Sequence, residues 1–209
     1  MTLVKVCGIT TIEDARLCVD AGVYALGFNF YPKSPRYIEP SRAAEIIDQL
    51  PSELMTVGVF VNEDREFVKT AAATSRVTAV QLHGDETPSF CDGLADLPVI
   101  KALRVRDAFD PAEASQFATE AILLDAFCSN LFGGSGKTFN WELARRTKPL
   151  VKKLFLAGGL DANNVRLATQ EIRPFAVDVC SGVESVPGRK DSWKLSGFMK
   201  AIRKVKDEF

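Results

Sequence analysis

The chain has 209 residues, 46% of them hydrophobic, and a net charge of −1 at neutral pH. Length and apolar content suit a single domain over residues 1–209 with a sizeable core. The near-balanced charge argues against a nucleic-acid groove or a membrane-surface patch, and no apolar run approaches the roughly 20 residues of a bilayer-spanning helix.

Short apolar runs alternate with segments of helical period. Strands are expected near Leu3–Cys7, Ala25–Phe30, Met55–Val61, Ala79–His83, Val99–Val105, Ala121–Asp125, Lys153–Ala157 and Ala176–Cys180. Between them, Ala43, Ile46, Ile47 and Leu50 keep helix spacing, as do Leu195, Phe198, Ile202 and Val205. Thr11 before Glu13 and Asp14, Ser41, and Asp110 before Pro111 read as helix starts. Gly22 and Gly93 read as helix ends.

Eight strand–helix units in a chain of this length predict a closed (β/α)8 barrel, with a doubly wound open sheet as the alternative. The steps between strand starts are near 22 residues, except after the second strand and the sixth, where they are 30 and 32. The extra residues fall in the Tyr31–Tyr37 stretch and in the glycine-rich segment 127–138. Loops after strands build the active face of such a barrel, so length there points to substrate contact or closure.

Five cysteines at wide spacing, with no CxxC pair, do not form a disulfide framework or a zinc motif. One histidine, His83, leaves the usual His-based metal motifs unwritten. No metal is expected, and a reducing, cytoplasmic setting is.

Several strands carry a polar residue near their C-terminal end. These are Lys5 and Cys7, Asn29, Gln81 and His83, Lys101, Asp125, and Asp178. Isolated polar groups are costly to bury, so their convergence reads either as an ion network or as a site with perturbed acids and bases. Cys7 ends a strand before Gly8 and reads equally as a buried small hydrophobe or as a functional thiol, base or nucleophile. Asp125 follows three large aliphatics and opens the long loop, which favours a chemical role. Arg36 sits between stiffening prolines and a tyrosine and suits a carboxylate ligand. Gly158 and Gly159 follow the seventh strand, and Ser181 and Gly182 the eighth. Such paired loops hold phosphate through backbone N–H groups. The Gly133–Thr138 run lacks the first glycine of a nucleotide-binding P-loop, since Leu131 stands there.

Lys5-Val6-Cys7-Gly8-Ile9-Thr10, Ser34-Pro35-Arg36-Tyr37, Gln81-Leu82-His83-Gly84, Leu124-Asp125, Gly134-Ser135-Gly136-Lys137-Thr138-Phe139, Ala157-Gly158-Gly159-Leu160 and Asp178-Val179-Cys180-Ser181-Gly182-Val183-Glu184 occur in one order along the chain. As a set they resemble the phosphoribosylanthranilate isomerase family. Departures are small: Val6, Ser135 and Asn140 stand where that family more often has Ile, Thr and Asp.

The resemblance implies a cofactor-free Amadori rearrangement, an aldose–ketose isomerisation in tryptophan biosynthesis. The substrate would be a small phosphosugar, and the assembly a monomer or homodimer. It implies Asp125 as general acid and Cys7 as general base. Arg36 would hold the anthranilate carboxylate and Asp178 the sugar hydroxyls. Gly158, Gly159, Ser181 and Gly182 would hold the phosphate, and the loop with Gly134, Ser135 and Gly136 would close over the substrate. Gln81 and His83 would line the site. Lys5 is a candidate partner for Asp178. The related histidine-pathway isomerases place Asp where Cys7 stands, and a non-catalytic phosphate-binding barrel has no use for Cys7 and Asp125.

Overall fold

The computed structural model describes residues 2–94, 96–105, 109–125 and 141–203. Eight parallel strands follow one another around a closed barrel: β1 Leu3–Cys7, β2 Ala25–Asn29, β3 Met55–Phe60, β4 Ala79–Leu82, β5 Val99–Arg104, β6 Ala121–Asp125, β7 Leu154–Ala157 and β8 Ala176–Val179. β8 closes the ring against β1, with Lys5 opposite Asp178 and Val6 opposite Val179.

The strands begin and end within two residues of the sequence expectation. Where the regular pleat stops one residue short, the ladder bond is still made: Phe30 N–H donates to the Val59 carbonyl, His83 N–H to Phe60, and Val105 N–H to Asp125.

The crossover segments are α1 Ile12–Asp20, α2 Pro40–Ile47, α3 Arg65–Ser75, α4 Pro88–Asp92, a 3-10 turn at Pro111–Gln116, α5 Trp141–Thr147, α6 Val165–Ile172 and α7 Ser192–Arg203. Thr11 caps α1, its hydroxyl accepting from Asp14 N–H, and Gly22 turns the chain out of it at φ +79°. Two helix starts differ from expectation. Pro40 rather than Ser41 opens α2, because a proline at the first position has no N–H to satisfy. Asp110 caps its segment in a reciprocal box with Glu113, but the segment winds as a 3-10 turn.

Alternation along the strands sorts side chains into two cores. Ala25, Val57, Ala79, Ile100, Ala102, Ala121, Leu123, Phe155, Ala157 and Ala176 fill the barrel interior. Val4, Val6, Leu26, Phe28, Val80, Leu82, Leu124 and Val177 pack outward under the helices. Small interior residues near β1 and β2 leave room for one long side chain, and Lys5 occupies it with no exposed surface. After β8 the chain adds a hairpin, β9 Glu184–Val186 and β10 Arg189–Lys190, before α7.

Candidate active site

On β1 the even residues face the helices, so Lys5 and Cys7 face the interior, Cys7 at the C-terminal rim. Their room comes from Gly27, which pairs with Cys7 across β1 and β2. A side chain on Gly27 would come within 2.8 Å of the Cys7 sulfur and 3.1 Å of Lys5 Nζ. Lys5 Nζ donates to Asp178 Oδ1 at 2.9 Å. Burial by itself would pull the Lys5 ammonium down. The charges of Asp178 and Cys7 outweigh it and hold the lysine protonated above its ordinary value.

Burial of the Cys7 thiol pushes its pKa up. Lys5 and Lys190 pull it back by charge, and Asp178 opposes them. Cys18 and Cys91 are different: burial lifts them to about 12 and about 11, and they sit in the outer core as small apolar groups.

Asp125 ends β6, three strand positions around the ring from β1. Its Oδ2 lies 3.0 Å from His83 Nε2, and His83 Nδ1 lies 2.9 Å from Gln81 Nε2. With the Gln81 amide donating, the imidazole proton is on Nε2 and His83 donates to Asp125. Gln81 is buried below His83, and its Oε1 has no hydrogen-bond partner among the described residues. It reaches the rim through the imidazole. Asn29 is used locally, accepting from Tyr31 N–H at 2.9 Å to turn the chain out of β2.

Arg36 is held from the opposite side of β1. Its Nε and Nη2 donate to both oxygens of Glu184 at 2.6–3.1 Å. The same carboxylate accepts from Lys190 Nζ at 2.9 Å. Burial would raise the Glu184 carboxyl, but bonds from Arg36 and Lys190 and their charges bring it down to about 2. The Arg36 stem packs against Gly8, where an added side chain would meet Cδ at 2.6 Å.

Gly158 and Gly159 follow β7 at φ +93° and +64°, and a side chain at Gly159 would meet nothing within 4 Å. Gly182 is set by packing instead, since a Cβ there would lie 2.0 Å from the Leu160 carbonyl oxygen. The two loops are thus pressed together at the rim of β7 and β8. Asn164 tightens the first, donating to the Gly159 carbonyl at 2.9 Å.

Cys7, Asp125, His83, Arg36 and Asp178 all reach the C-terminal end of the barrel or the layer just below it, with the Gly158–Gly159 and Ser181–Gly182 loops on the same rim. Gly134, Ser135 and Gly136 lie outside the described residues. Lys101 does not join the site. Ile100 and Ala102 point inward, so Lys101 points outward, where Nζ donates to Glu86 at 2.7 Å and to the Leu82 and Gly84 carbonyls. Sequence reading left Gly27, Glu184 and Lys190 without individual roles. Glycine opposite the cysteine across β1 and β2 is a signal that pairing register makes visible. Nothing in the spacing of Lys190 points to Cys7, 183 residues away.

The class that this fold and this rim define is a (β/α)8-barrel enzyme equipped for general acid–base chemistry. The sequence pattern of N-(5'-phosphoribosyl)anthranilate isomerase matches residues 4–201. The isomerase of that name from Geobacter sulfurreducens is 48% identical over 203 residues, 97% of this chain and 99% of that one. The one from Moorella thermoacetica is also 48% identical, over 99% of this chain and 92% of its own. Among solved structures, the Thermotoga maritima phosphoribosyl anthranilate isomerase superposes with a TM-score of 0.89 at 45% identity, covering 98% of this chain and all 100% of its own. One determined with reduced 1-(o-carboxyphenylamino)-1-deoxyribulose 5-phosphate gives 0.87 at 42% identity, with the same coverage. The chain belongs to the N-(5'-phosphoribosyl)anthranilate isomerase family.

Proposed function

We propose that the chain converts N-(5-phosphoribosyl)anthranilate to 1-(2-carboxyphenylamino)-1-deoxyribulose 5-phosphate by proton transfer between Asp125, the substrate and Cys7. The observation that carries the reading is the placement of a thiol beside a buried lysine on β1 and of a carboxylate hydrogen-bonded to an imidazole on β6, at the same end of one barrel.

Asp125 gives a proton to the furanose ring oxygen, the C1–O bond breaks, and the ring opens to a protonated Schiff base. Cys7 as thiolate takes the proton from C2, and the electron pair of that C–H bond moves to form the enolamine. Tautomerisation then gives the ketone. His83 holds the Asp125 carboxyl in place and, hydrogen-bonded to it, can return a proton to it. Gln81 fixes the imidazole.

Arg36 takes the anthranilate carboxylate with the face of its guanidinium that Glu184 leaves open. Asp178 accepts from the sugar hydroxyls with the oxygen that Lys5 leaves open. The phosphate lies against backbone N–H groups of Gly158, Gly159, Ser181 and Gly182, where Gly159 faces open space. We place the enzyme in a reducing compartment, in keeping with free Cys7, Cys18, Cys91 and Cys180.

The test is the purified chain with freshly made phosphoribosylanthranilate, followed as loss of that substrate's fluorescence. Conversion is expected, and its absence would leave a phosphate-binding barrel. Asp125→Asn and Cys7→Ala should each lower kcat at least about 10²-fold with the fold intact, the scale of a general acid or base. Arg36→Ala should raise KM; an unchanged KM removes Arg36 from carboxylate binding.

A further inference from the structure

The hairpin after β8 reaches back across the first strand and grips it with one buried side chain. Lys190 on β10 has a fully covered side chain. Its Nζ donates to the Cys7 carbonyl at 2.6 Å and to Glu184 Oε1 at 2.9 Å. Its backbone N–H donates to Asp14 Oδ2 on α1 at 3.1 Å. Two further bonds fasten the hairpin: Thr10 Oγ1 donates to the Gly188 carbonyl at 2.7 Å, and Lys194 Nζ to the Glu184 carbonyl at 2.6 Å.

A buried ammonium needs a partner, and Glu184 alone would serve. Lys190 makes its second bond to the peptide of the one residue whose thiol faces the reacting carbon on the reading above. The charged groups around that thiol come from five elements. Lys5 lies below it on β1, Asp178 on β8, Glu184 on β9, Lys190 on β10, and Arg36 in the loop after β2. Asp14 on α1 lies behind Lys190 and faces Arg189 at 3.9 Å. Close to the thiol, three cations (Lys5, Lys190, Arg36) stand against two carboxylates (Asp178, Glu184). One positive charge is left over, and a thiolate balances it. The neutral Cys180 thiol, held well above its ordinary range by burial, adds no charge.

We propose that Lys190 is a positioning residue for the Cys7 base: anchored on Glu184, it fixes the Cys7 peptide and supplies the charge that lets the thiol act as thiolate. The proposal rests on the reading of Cys7 as base. Asp178 offsets Lys5 one to one at 2.9 Å, whereas the single Glu184 carboxylate is shared between Lys190 and Arg36, so the surplus positive charge lies on the Lys190 side. The direction of the electrostatics agrees, since Lys190 draws the Cys7 thiol down against the burial that pushes it up. Arg36 and Lys190 are tied through a single carboxylate, so the carboxylate-binding arm and the base are braced by the same side chain.

The test uses the full chain with Lys190→Met, Lys190→Gln and Lys190→Arg, each checked for a cooperative melt. One readout is the rate of Cys7 alkylation by iodoacetamide, resolved by peptide mass spectrometry, over about two pH units either side of the free-thiol value of about 8.5. The other is kcat and KM against pH. Lys190→Met and Lys190→Gln should slow Cys7 alkylation at neutral pH at least about tenfold and move its midpoint upward, the effect of losing one neighbouring charge. kcat should fall by a similar factor and recover in alkali, while KM stays within about threefold. Lys190→Arg should restore the alkylation midpoint. An unmoved midpoint in folded Lys190→Gln, or an arginine variant no better than the glutamine one, overturns the proposal. Should Lys190→Met fail to fold, Lys190→Gln keeps a donor for the Cys7 carbonyl and carries the test. Activity surviving in Cys7→Ala would overturn the base reading instead, and the alkylation midpoints would still report whether Lys190 governs the thiol.

Discussion

Two buried lysine–carboxylate pairs stand on the same barrel and do different work. Lys5–Asp178 lies inside, bridging β1 and β8 at 2.9 Å under the rim. Lys101–Glu86 lies outside, tying β5 to the loop after β4 at 2.7 Å. Both lysines are almost wholly covered, at 0% and 2%. The difference is in what else each pair touches. Lys101 also caps the Leu82 and Gly84 carbonyls, and Glu86 accepts from Asn62 and Gly84 N–H, so among the described residues the pair's other hydrogen bonds are to main chain at the ends of β3 and β4. Among the described residues Lys5 makes no such main-chain hydrogen bond; beside Asp178 it meets the Cys7 thiol, across the space that Gly27 leaves. Burial of an ion pair therefore says little about role. What else the pair touches decides whether it holds a loop or tunes a reacting group.

Breaking each pair from the lysine side should separate the two. Lys5→Met leaves Asp178 alone in the interior and removes a cation from the thiol. It should lower kcat/KM at least about 10²-fold, the scale of general-base catalysis, beyond a stability loss of about 3–5 kcal/mol. Lys101→Met should cost a similar about 3–5 kcal/mol in urea denaturation, yet leave kcat/KM per folded molecule within about threefold. The paired replacements sharpen the contrast. Lys5→Met with Asp178→Asn should regain stability but not activity. Lys101→Met with Glu86→Gln should regain part of the stability, because glutamine still accepts from the Asn62 and Gly84 amides. A Lys101→Met enzyme as inactive as Lys5→Met would mean that the outer pair reaches the chemistry.

This contrast was half legible in the sequence. β1 reads Leu-Val-Lys-Val-Cys, and its alternation alone puts lysine and cysteine on one face. β5 reads Val-Ile-Lys-Ala-Leu-Arg, with apolar residues on both faces, so its parity is hidden. Lys101 was accordingly expected at the rim and lies under the helices. The partner Asp178 was readable only once eight units implied closure of the last strand on the first. His83–Asp125 joins the ends of β4 and β6 across the intervening β5, a pairing that no local spacing relates. Lys190 follows a turn in a hairpin that is extra to the eight-unit repeat, and its bond to Cys7 depends on the ring being closed.

Glu184 supplies a third buried carboxylate and the mildest test, because its contribution changes only in acid. It holds two cations where Asp178 and Glu86 each hold one. Its carboxyl titrates at about 2 in the folded protein, against about 4.3 for a free glutamate. A depressed folded value means stability that is fully present above the free value and is lost as pH falls towards the folded one. The stability difference between the wild-type chain and Glu184→Gln should therefore be constant at neutral pH and shrink between about pH 4.5 and pH 2, measured by urea denaturation at each pH. The exposed Arg76–Asp48 pair is the control: screened by water, it should show little change over the same range. A difference for Glu184→Gln that stays flat into acid would mean that the two cations do not stabilise the carboxylate. The brace between Arg36 and Lys190 would then be one of shape, not of charge.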